Sequence, residues 1–255
     1  MFQYKTYPIT ETQISIENIP CSFFAPQLEH NERNTKVPLI IYYHGWSSCR
    51  VNQRFIGAVL SSFGYLVLLP DALYHGERGH FENYEKALYE YFLPTVMQNL
   101  ADFHTLKDYM LENYNADKER IAVAGHSMGG YSSAGIFTHN GEVKTAVVFN
   151  GAFDWQNAIL ETGRRYRMPV ISFDKAEKSA DPACNREKII DRPLFILHGK
   201  KDTFVPFEVQ KQFYQQIREQ YRNKDLIKFM PVERMNHYIS VQMFNEAIMW
   251  FSKHL

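Results

Sequence analysis

The sequence has few cysteines and no surplus of charge of either sign. Its three cysteines, Cys21, Cys49 and Cys184, are widely spaced and form no C-x-x-C pair, so they predict neither a disulfide framework nor a thiolate metal site and favour a reducing compartment. Lysine plus arginine and aspartate plus glutamate both count 28. A chain without a basic surplus is poorly suited to neutralising a phosphate backbone or an anionic membrane. We therefore expect a small-molecule partner, and neither nucleic acid nor a membrane.

Long apolar runs and the features of an N-terminal leader are also missing. The first residues, MFQYKTYPITETQ, contain no basic segment followed by an apolar core, which is the pattern of a secretory signal. No window reaches the ~18 consecutive apolar residues of a membrane span. We therefore expect a cytoplasmic protein. Nothing in the composition indicates an oligomeric state.

What the sequence does contain is a series of short apolar runs separated by segments with helical spacing. The runs that we interpret as buried parallel strands are Val37–Tyr43, Tyr65–Leu69, Ile121–Ala124, Ala146–Phe149, Leu194–Leu197 and Leu226–Met230. Apolar residues at helical spacing precede Ile121, follow Pro206 and continue from Val241 to Phe251. Strands that alternate with helices predict an α/β fold with a mostly parallel sheet covered on both faces. Ligands of such sheets bind at the carboxyl ends of the strands.

Two parts of the chain lie outside this alternation. Before the first run, Gln3–Pro8 and Gln13–Ile19 predict an antiparallel pair of strands. The long gap between strands, residues 151–192, is the place for a small cap or flap over the site. We interpret residues 1–255 as a single domain, since chains of this length commonly form one.

The stretch IAVAGHSMGGYSSAG places Ser127 between two glycines, each two residues away. The pattern G-x-S-x-G occurs by chance in roughly one in ten chains of this size. Here, however, it follows an apolar run and precedes small residues that allow a helix to pack close to a sheet. That is the context in which the serine lies on a sharp strand-to-helix turn with its hydroxyl exposed. We therefore interpret Ser127 as a nucleophile, against the alternative of a tight turn with an idle hydroxyl.

A serine nucleophile needs a histidine to take its proton and an acid to orient that histidine. Asp202 follows the run Leu194–Leu197, and His237 lies in the loop between the last run and the last helix. Asp202 has an alternative role as the cap of the helix that Pro206 starts, and Asp154 is the rival acid. We predict Ser127, Asp202 and His237 as the catalytic residues.

The stretches IIYYHGWSS, LLPDALYHGERG, GHSMGG, FILHGKKDTFVP and MNHY resemble the α/β-hydrolase superfamily. The sequence is most similar to small serine esterases of the dienelactone hydrolase and prolyl-oligopeptidase-like group, from the strand at Val37 to the last helix. The resemblance implies an α/β-hydrolase fold and a serine hydrolase. It also implies that the backbone N–H groups of Met128 and Trp46 form the oxyanion hole.

Several other residues near these motifs need an interpretation. His75 and His80, with Asp71 and Glu77 nearby, could be metal ligands on one loop, but their spacing matches no metal motif, so we expect no metal and no cofactor. We interpret Cys49, close to the predicted oxyanion loop, as a buried free thiol.

The predicted substrate pocket is apolar. Tyr74 and Trp155, with Trp46, line it in one interpretation and belong to the core in the other. In the flap, Trp155, Ile159 and Leu160 would close one side of the pocket. An alternative is that this stretch is only a covering helix of the sheet.

Together these residues predict hydrolysis of a small-molecule carboxylic ester through an acyl-enzyme. Because a small flap encloses only a small acyl group, short-chain acyl esters should be favoured. One alternative is a peptidase of the prolyl-oligopeptidase type, which usually carries a further domain for which we expect no room in this chain. The other is a non-catalytic binding module on the same fold, against which the complete triad argues.

Overall fold

The strands form one eight-stranded sheet in a computed structural model that describes residues 5–32, 35–81, 88, 90–169 and 171–255. In chain order they are β1 (Ile9–Ile16), β2 (Ile19–Pro26), β3 (Val37–Tyr43), β4 (Leu66–Pro70), β5 (Ala116–His126), β6 (Val143–Phe149), β7 (Leu194–Gly199) and β8 (Ile227–Val232). Their order across the sheet is β1-β2-β4-β3-β5-β6-β7-β8. The pairs β1/β2 and β2/β4 are antiparallel, and all the others are parallel. The predicted fold class, mostly parallel with an antiparallel N-terminal pair, is confirmed.

Helices cover both faces of the sheet. The α-helices of the described residues are α1 (Arg54–Ser62), α2 (Phe92–Asn113), α3 (Met128–His139), α4 (Trp155–Tyr166), α5 (Lys175–Ala180), α6 (Phe207–Gln220) and α7 (Val241–His254). Alternate residues of β3 belong to two different buried clusters, Ile41 with apolar residues of α2, α3 and α6, and Ile40 with those of α1 and α7. This alternation is the side-chain period of a strand that is buried on both faces. None of the described helices is both long enough and apolar enough to cross a membrane.

The N-terminal strand pair lies further along the chain than predicted. Residues 5–8 form no strand, and the first two residues of the predicted segment Gln3–Pro8 lie outside the described residues. The hairpin instead turns at Glu17 and Asn18, where Ile16 pairs with Ile19 across a two-residue loop. Both turn residues have positive φ, 47° and 67°, which is the geometry of a type I′ turn. The segment predicted as the second strand, Gln13–Ile19, therefore contains the turn.

Candidate active site

Ser127 lies at the junction where β5 ends and α3 begins. Its backbone has φ 56° and ψ −118°, a conformation that residues other than glycine rarely adopt. The Ser127 amide donates a hydrogen bond to the Phe149 carbonyl of the neighbouring strand β6, at 2.9 Å. The turn is therefore sharp, and its strained residue is held by the sheet beside it.

The two glycines that flank Ser127 allow α3 to lie close to the sheet. A Cβ atom on Gly129 would overlap the carbonyl of Tyr43 in β3, and one on Gly125 would overlap the carbonyl of Gly129. These obstacles are backbone atoms, which cannot turn away as a side chain can. The glycines of the motif are thus required by the approach of helix to strand, as the sequence indicates.

The structure brings Ser127, His237 and Asp202 into one line of hydrogen bonds. The Ser127 Oγ lies 2.7 Å from the His237 Nε2, and the His237 Nδ1 lies 2.7 Å from the Asp202 Oδ2. Because the carboxylate can only accept, the His237 Nδ1 carries the proton, which leaves Nε2 free to accept the serine proton. The geometry is that of a nucleophile, a base and an orienting acid.

Asp202 is held from several directions in a buried position. Its Oδ1 accepts hydrogen bonds from the backbone amides of Phe204 and Val205, both at 2.8 Å. Its Oδ2 also lies 3.3 Å from the Nε2 of the fully buried His198. Burial raises the pKa of the Asp202 carboxyl, but the hydrogen bonds from His198 and His237 lower it more, so that the net pKa lies below the usual range of aspartate. The carboxylate therefore stays charged beside His237.

The two predicted oxyanion-hole residues lie beside Ser127. Met128 is the first residue of α3, where a backbone N–H has no partner within the helix and the helix dipole favours negative charge. Trp46 follows Gly45, and a Cβ atom on Gly45 would be 3.4 Å from the Ser127 Cβ. Trp46 and Ser127 also line the same cavity. Both N–H groups thus come from segments adjacent to the serine, and their role as donors to an oxyanion stays a prediction.

A cavity of about 380 Å³ opens at the Ser127 and His237 side chains. The other residues that line it are Trp46, Ser47, Leu88, Phe92, Tyr131, Ile159, Thr162, Gly163, Met168, Pro169, Ile171, Phe204 and Val205. Among the described residues, no aspartate, glutamate, lysine or arginine contributes to this lining. The cavity therefore suits an uncharged and mostly apolar group.

Neither Tyr74 nor Trp155 is among the residues that line the cavity. Trp155 is completely buried and packs where a Cβ atom on Gly135 would stand, 2.7 Å from its ring. Tyr74 contacts Phe81, with ring centroids 5.5 Å apart, and Phe81 in turn stacks on Trp46. The prediction that these two residues line the pocket is therefore wrong: Trp155 belongs to the core and Tyr74 to an outer aromatic layer.

The segment 151–192 contributes α4 and the chain after it to the cavity. Ile159, Thr162 and Gly163 of α4 line it, as do Met168 and Ile171 beyond the helix. Of these five residues, the sequence predicts only Ile159 at the pocket. The apolar spacing of α4 was a usable signal for Ile159, whereas Thr162 and Gly163 carry no apolar signal at all.

The residues with rival interpretations have other contacts. Asp154 accepts a hydrogen bond from the Asn157 amide and caps the N-terminus of α4. Asp71 pairs with Arg50, whose guanidinium also reaches Glu77 at 2.7 Å. Both carboxylates of this loop are therefore paired with the Arg50 guanidinium.

Comparison with known proteins adds a family and a fold. The sequence profile of the prolyl oligopeptidase family matches residues 52–255. Putative esterase YitV of Bacillus subtilis (strain 168) is 28% identical, with 95% of this chain and 100% of that protein covered. Esterase YjfP of Escherichia coli (strain K12) is 26% identical, with 88% and 92% covered. Among solved structures, an acylaminoacyl peptidase of Pyrococcus horikoshii has a TM-score of 0.72 at 17% identity, with 98% of this chain and 42% of that chain covered. These matches show an α/β-hydrolase fold.

Proposed function

The chain is a hydrolase that belongs to the prolyl oligopeptidase family, and from that premise we propose that it cleaves carboxylic esters with short acyl groups through a covalent acyl-enzyme. The observation that carries the proposal is the line of two 2.7 Å hydrogen bonds from Ser127 through His237 to Asp202, at the mouth of an uncharged cavity. The esterase names of two relatives covered over nearly their whole length agree with it.

The proposed reaction uses the side chains in fixed roles. Ser127 Oγ attacks the ester carbonyl carbon while His237 Nε2 takes the hydroxyl proton, and Asp202 stabilises the imidazolium. The N–H groups of Met128 and Trp46 bind the oxyanion of the tetrahedral intermediate. His237 then protonates the leaving alcohol as the ester C–O bond breaks. Water, deprotonated by His237, attacks the acyl-enzyme, and the carboxylic acid leaves as Ser127 regains its proton.

The size of the cavity supports the preference for short acyl groups. Its volume of about 380 Å³ lies near the lower end of the roughly 300–1,000 Å³ range of ligand pockets. Each methylene buried there contributes about 0.8 kcal/mol. Once the cavity is filled, a further methylene stays in water and contributes nothing.

A peptidase is the second candidate, because the family takes its name from a peptidase.

The test is a comparison of p-nitrophenyl esters of rising acyl length with amino-acid p-nitroanilides. We expect kcat/KM to peak at about two to six acyl carbons and to be far lower for the anilides. Ser127→Ala should abolish both turnover and labelling by a fluorophosphonate, while Ser252→Ala, on the surface of α7, should leave both unchanged. Efficient anilide cleavage with negligible ester turnover would establish the peptidase instead. A Ser127→Ala variant that still labels would remove Ser127 from the mechanism.

A further inference from the structure

The last turns of α4 are bonded to the loop that carries Asp202. The Arg165 Nη1 donates to the carbonyl oxygens of Asp202 and Thr203, at 3.1 and 2.9 Å. The Tyr166 hydroxyl donates to the same Thr203 carbonyl at 2.8 Å. Hydrogen bonds from a guanidinium are stronger than those between neutral groups. The side chains of α4 therefore hold two consecutive carbonyls of this loop.

A third side chain of α4 continues the pattern along the loop. The Thr162 Oγ1 lies 2.8 Å from the Phe204 carbonyl oxygen and also 2.8 Å from the Ala158 carbonyl oxygen of its own helix, so its single proton is shared between the two. Thr162 and Phe204 both line the cavity beside Ser127. The Phe204 ring also stacks on Tyr166, with centroids 6.2 Å apart, and lies 5.2 Å from the His237 ring. One helix thus borders the cavity and contacts three successive carbonyls of the acid loop, of which Arg165 and Tyr166 hold the first two.

The bonds matter because each peptide group is planar. The plane whose oxygen is the Thr203 carbonyl carries the Phe204 N–H, and the plane whose oxygen is the Phe204 carbonyl carries the Val205 N–H. Those two N–H groups are the donors to the Asp202 Oδ1, at 2.8 Å each. A donor that fixes the oxygen of a plane fixes the direction of the N–H on its other side. Water could replace each donor, but it would not orient the plane.

We propose that Arg165 and Tyr166 are positioning residues, which act on the reaction by holding the peptide plane between Thr203 and Phe204, whose N–H orients the Asp202 carboxylate. Through the carboxylate they also orient His237, which it bonds at 2.7 Å. The proposal rests on the proposed function, because it gives these residues a role only if Asp202 serves the reaction. It assigns the segment 151–192 a part in aligning the triad in addition to its part in lining the cavity.

The test is a double-mutant cycle between Arg165 and Asp202, with kcat and KM measured on the best p-nitrophenyl ester. Arg165→Met should lower kcat about 10-fold or more, with KM little changed, because small misplacements of catalytic groups are costly. Arg165→Lys, which keeps one charged donor, should recover part of the loss. Arg164→Met is the matched control, since that neighbouring side chain is 78% exposed and pairs with Glu161; it should leave kcat unchanged.

In the Asp202→Asn background, Arg165→Met should have no further effect on kcat, because groups that act as one unit are not additive. A loss of the same size in that background would overturn the proposal, as would an unchanged kcat for Arg165→Met alone. Tyr166→Phe gives a second variant if Arg165→Met fails to fold, and it too should lower kcat only when Asp202 is present. If Asp202→Asn alone leaves kcat unchanged, the proposed function fails first, and this proposal fails with it.

Discussion

Two aspartates follow neighbouring parallel strands at the carboxyl edge of the sheet, and their bonds distinguish them. Asp202, after β7, contacts His237 at 2.7 Å and accepts two backbone amides. Asp154, after β6, accepts from the amide and the side chain of Asn157 and caps α4. The Asp202 carboxylate thus bonds a histidine, whereas the Asp154 carboxylate caps the N-terminus of a helix.

This difference predicts opposite results for the same substitution. Asp202→Asn should lower kcat by roughly 10⁴, because a neutral amide no longer stabilises the imidazolium or its tautomer. Asp154→Asn should leave kcat unchanged, since asparagine caps a helix about as well as aspartate. Ester turnover and thermal unfolding, measured on both purified variants, check the prediction. The reverse pattern of kcat would move the acid to the loop after β6.

At the scale of single residues, the sequence could predict the groups that carry the proposed chemistry but not the whole lining of the cavity. Ser127, Asp202 and His237 could be found because each stands in a motif at the end of an apolar run. Trp155 and Ile159 were indistinguishable, since they lie on one face of α4, four residues apart. Only the packing of Trp155 against Gly135 places the first in the core and the second in the cavity.

Among the elements, the N-terminal hairpin and the start of β5 have boundaries that the sequence predicts poorly. The turn of the hairpin consists of Glu17 and Asn18, both at positive φ. The pairs that signal such a turn are Asn-Gly and Asp-Gly, and Glu-Asn at this position is neither, so the sequence predicts a strand through the turn. The apolar cores of the central strands are predicted well because they are buried on both faces, and β3 matches Val37–Tyr43 at both ends. β5 begins at Ala116, five residues before the predicted run, because its first half is charged and carries no apolar signal.

The same turn predicts a stabilising substitution. Glu17→Asn combined with Asn18→Gly should raise the free energy of unfolding by about 1 kcal/mol, because a left-handed conformation costs other residues roughly 1–2 kcal/mol. In a protein of this size that gain raises Tm by about 2–4 °C. Calorimetry would measure the shift, and kcat should not change.

The single substitution Asn18→Ala serves as the control for the hairpin variant. It should lower Tm, since alanine tolerates positive φ less well than asparagine. A double variant with an unchanged or lowered Tm would show that the turn geometry does not limit the stability of the hairpin.

Across the whole molecule, acidic and basic residues balance, but two buried histidines have a much lower pKa in the folded protein than in the unfolded chain. Burial lowers the pKa of His44 to about 4 and that of His126 to about 3. The bonds of His44 show the neutral form, since its Nδ1 lies 2.9 Å from the Gly45 carbonyl and its Nε2 accepts from the Ala72 amide at 3.0 Å. The folded protein therefore resists protonation at sites that the unfolded chain protonates readily.

The consequence is a loss of stability in mild acid. Below pH 6.5 the unfolded chain binds protons at these histidines, while folded His44 stays neutral until about pH 4. The free energy of unfolding is therefore full above pH 6.5 and falls as the pH falls toward 4, by about 2–3 kcal/mol for His44 alone. Asp202, with its lowered pKa, adds stability that is present above the usual pKa of aspartate and is lost progressively as the pH falls from that value toward the lowered pKa. Urea unfolding at pH 7 and pH 4.5 measures the fall.

Two variants serve as the controls of this prediction. His44→Asn should reduce the difference in the free energy of unfolding between the two pH values, whereas His104→Asn, whose side chain is 59% exposed, should not. A stability that is equal at both pH values would show that the buried histidines take up protons in the folded protein.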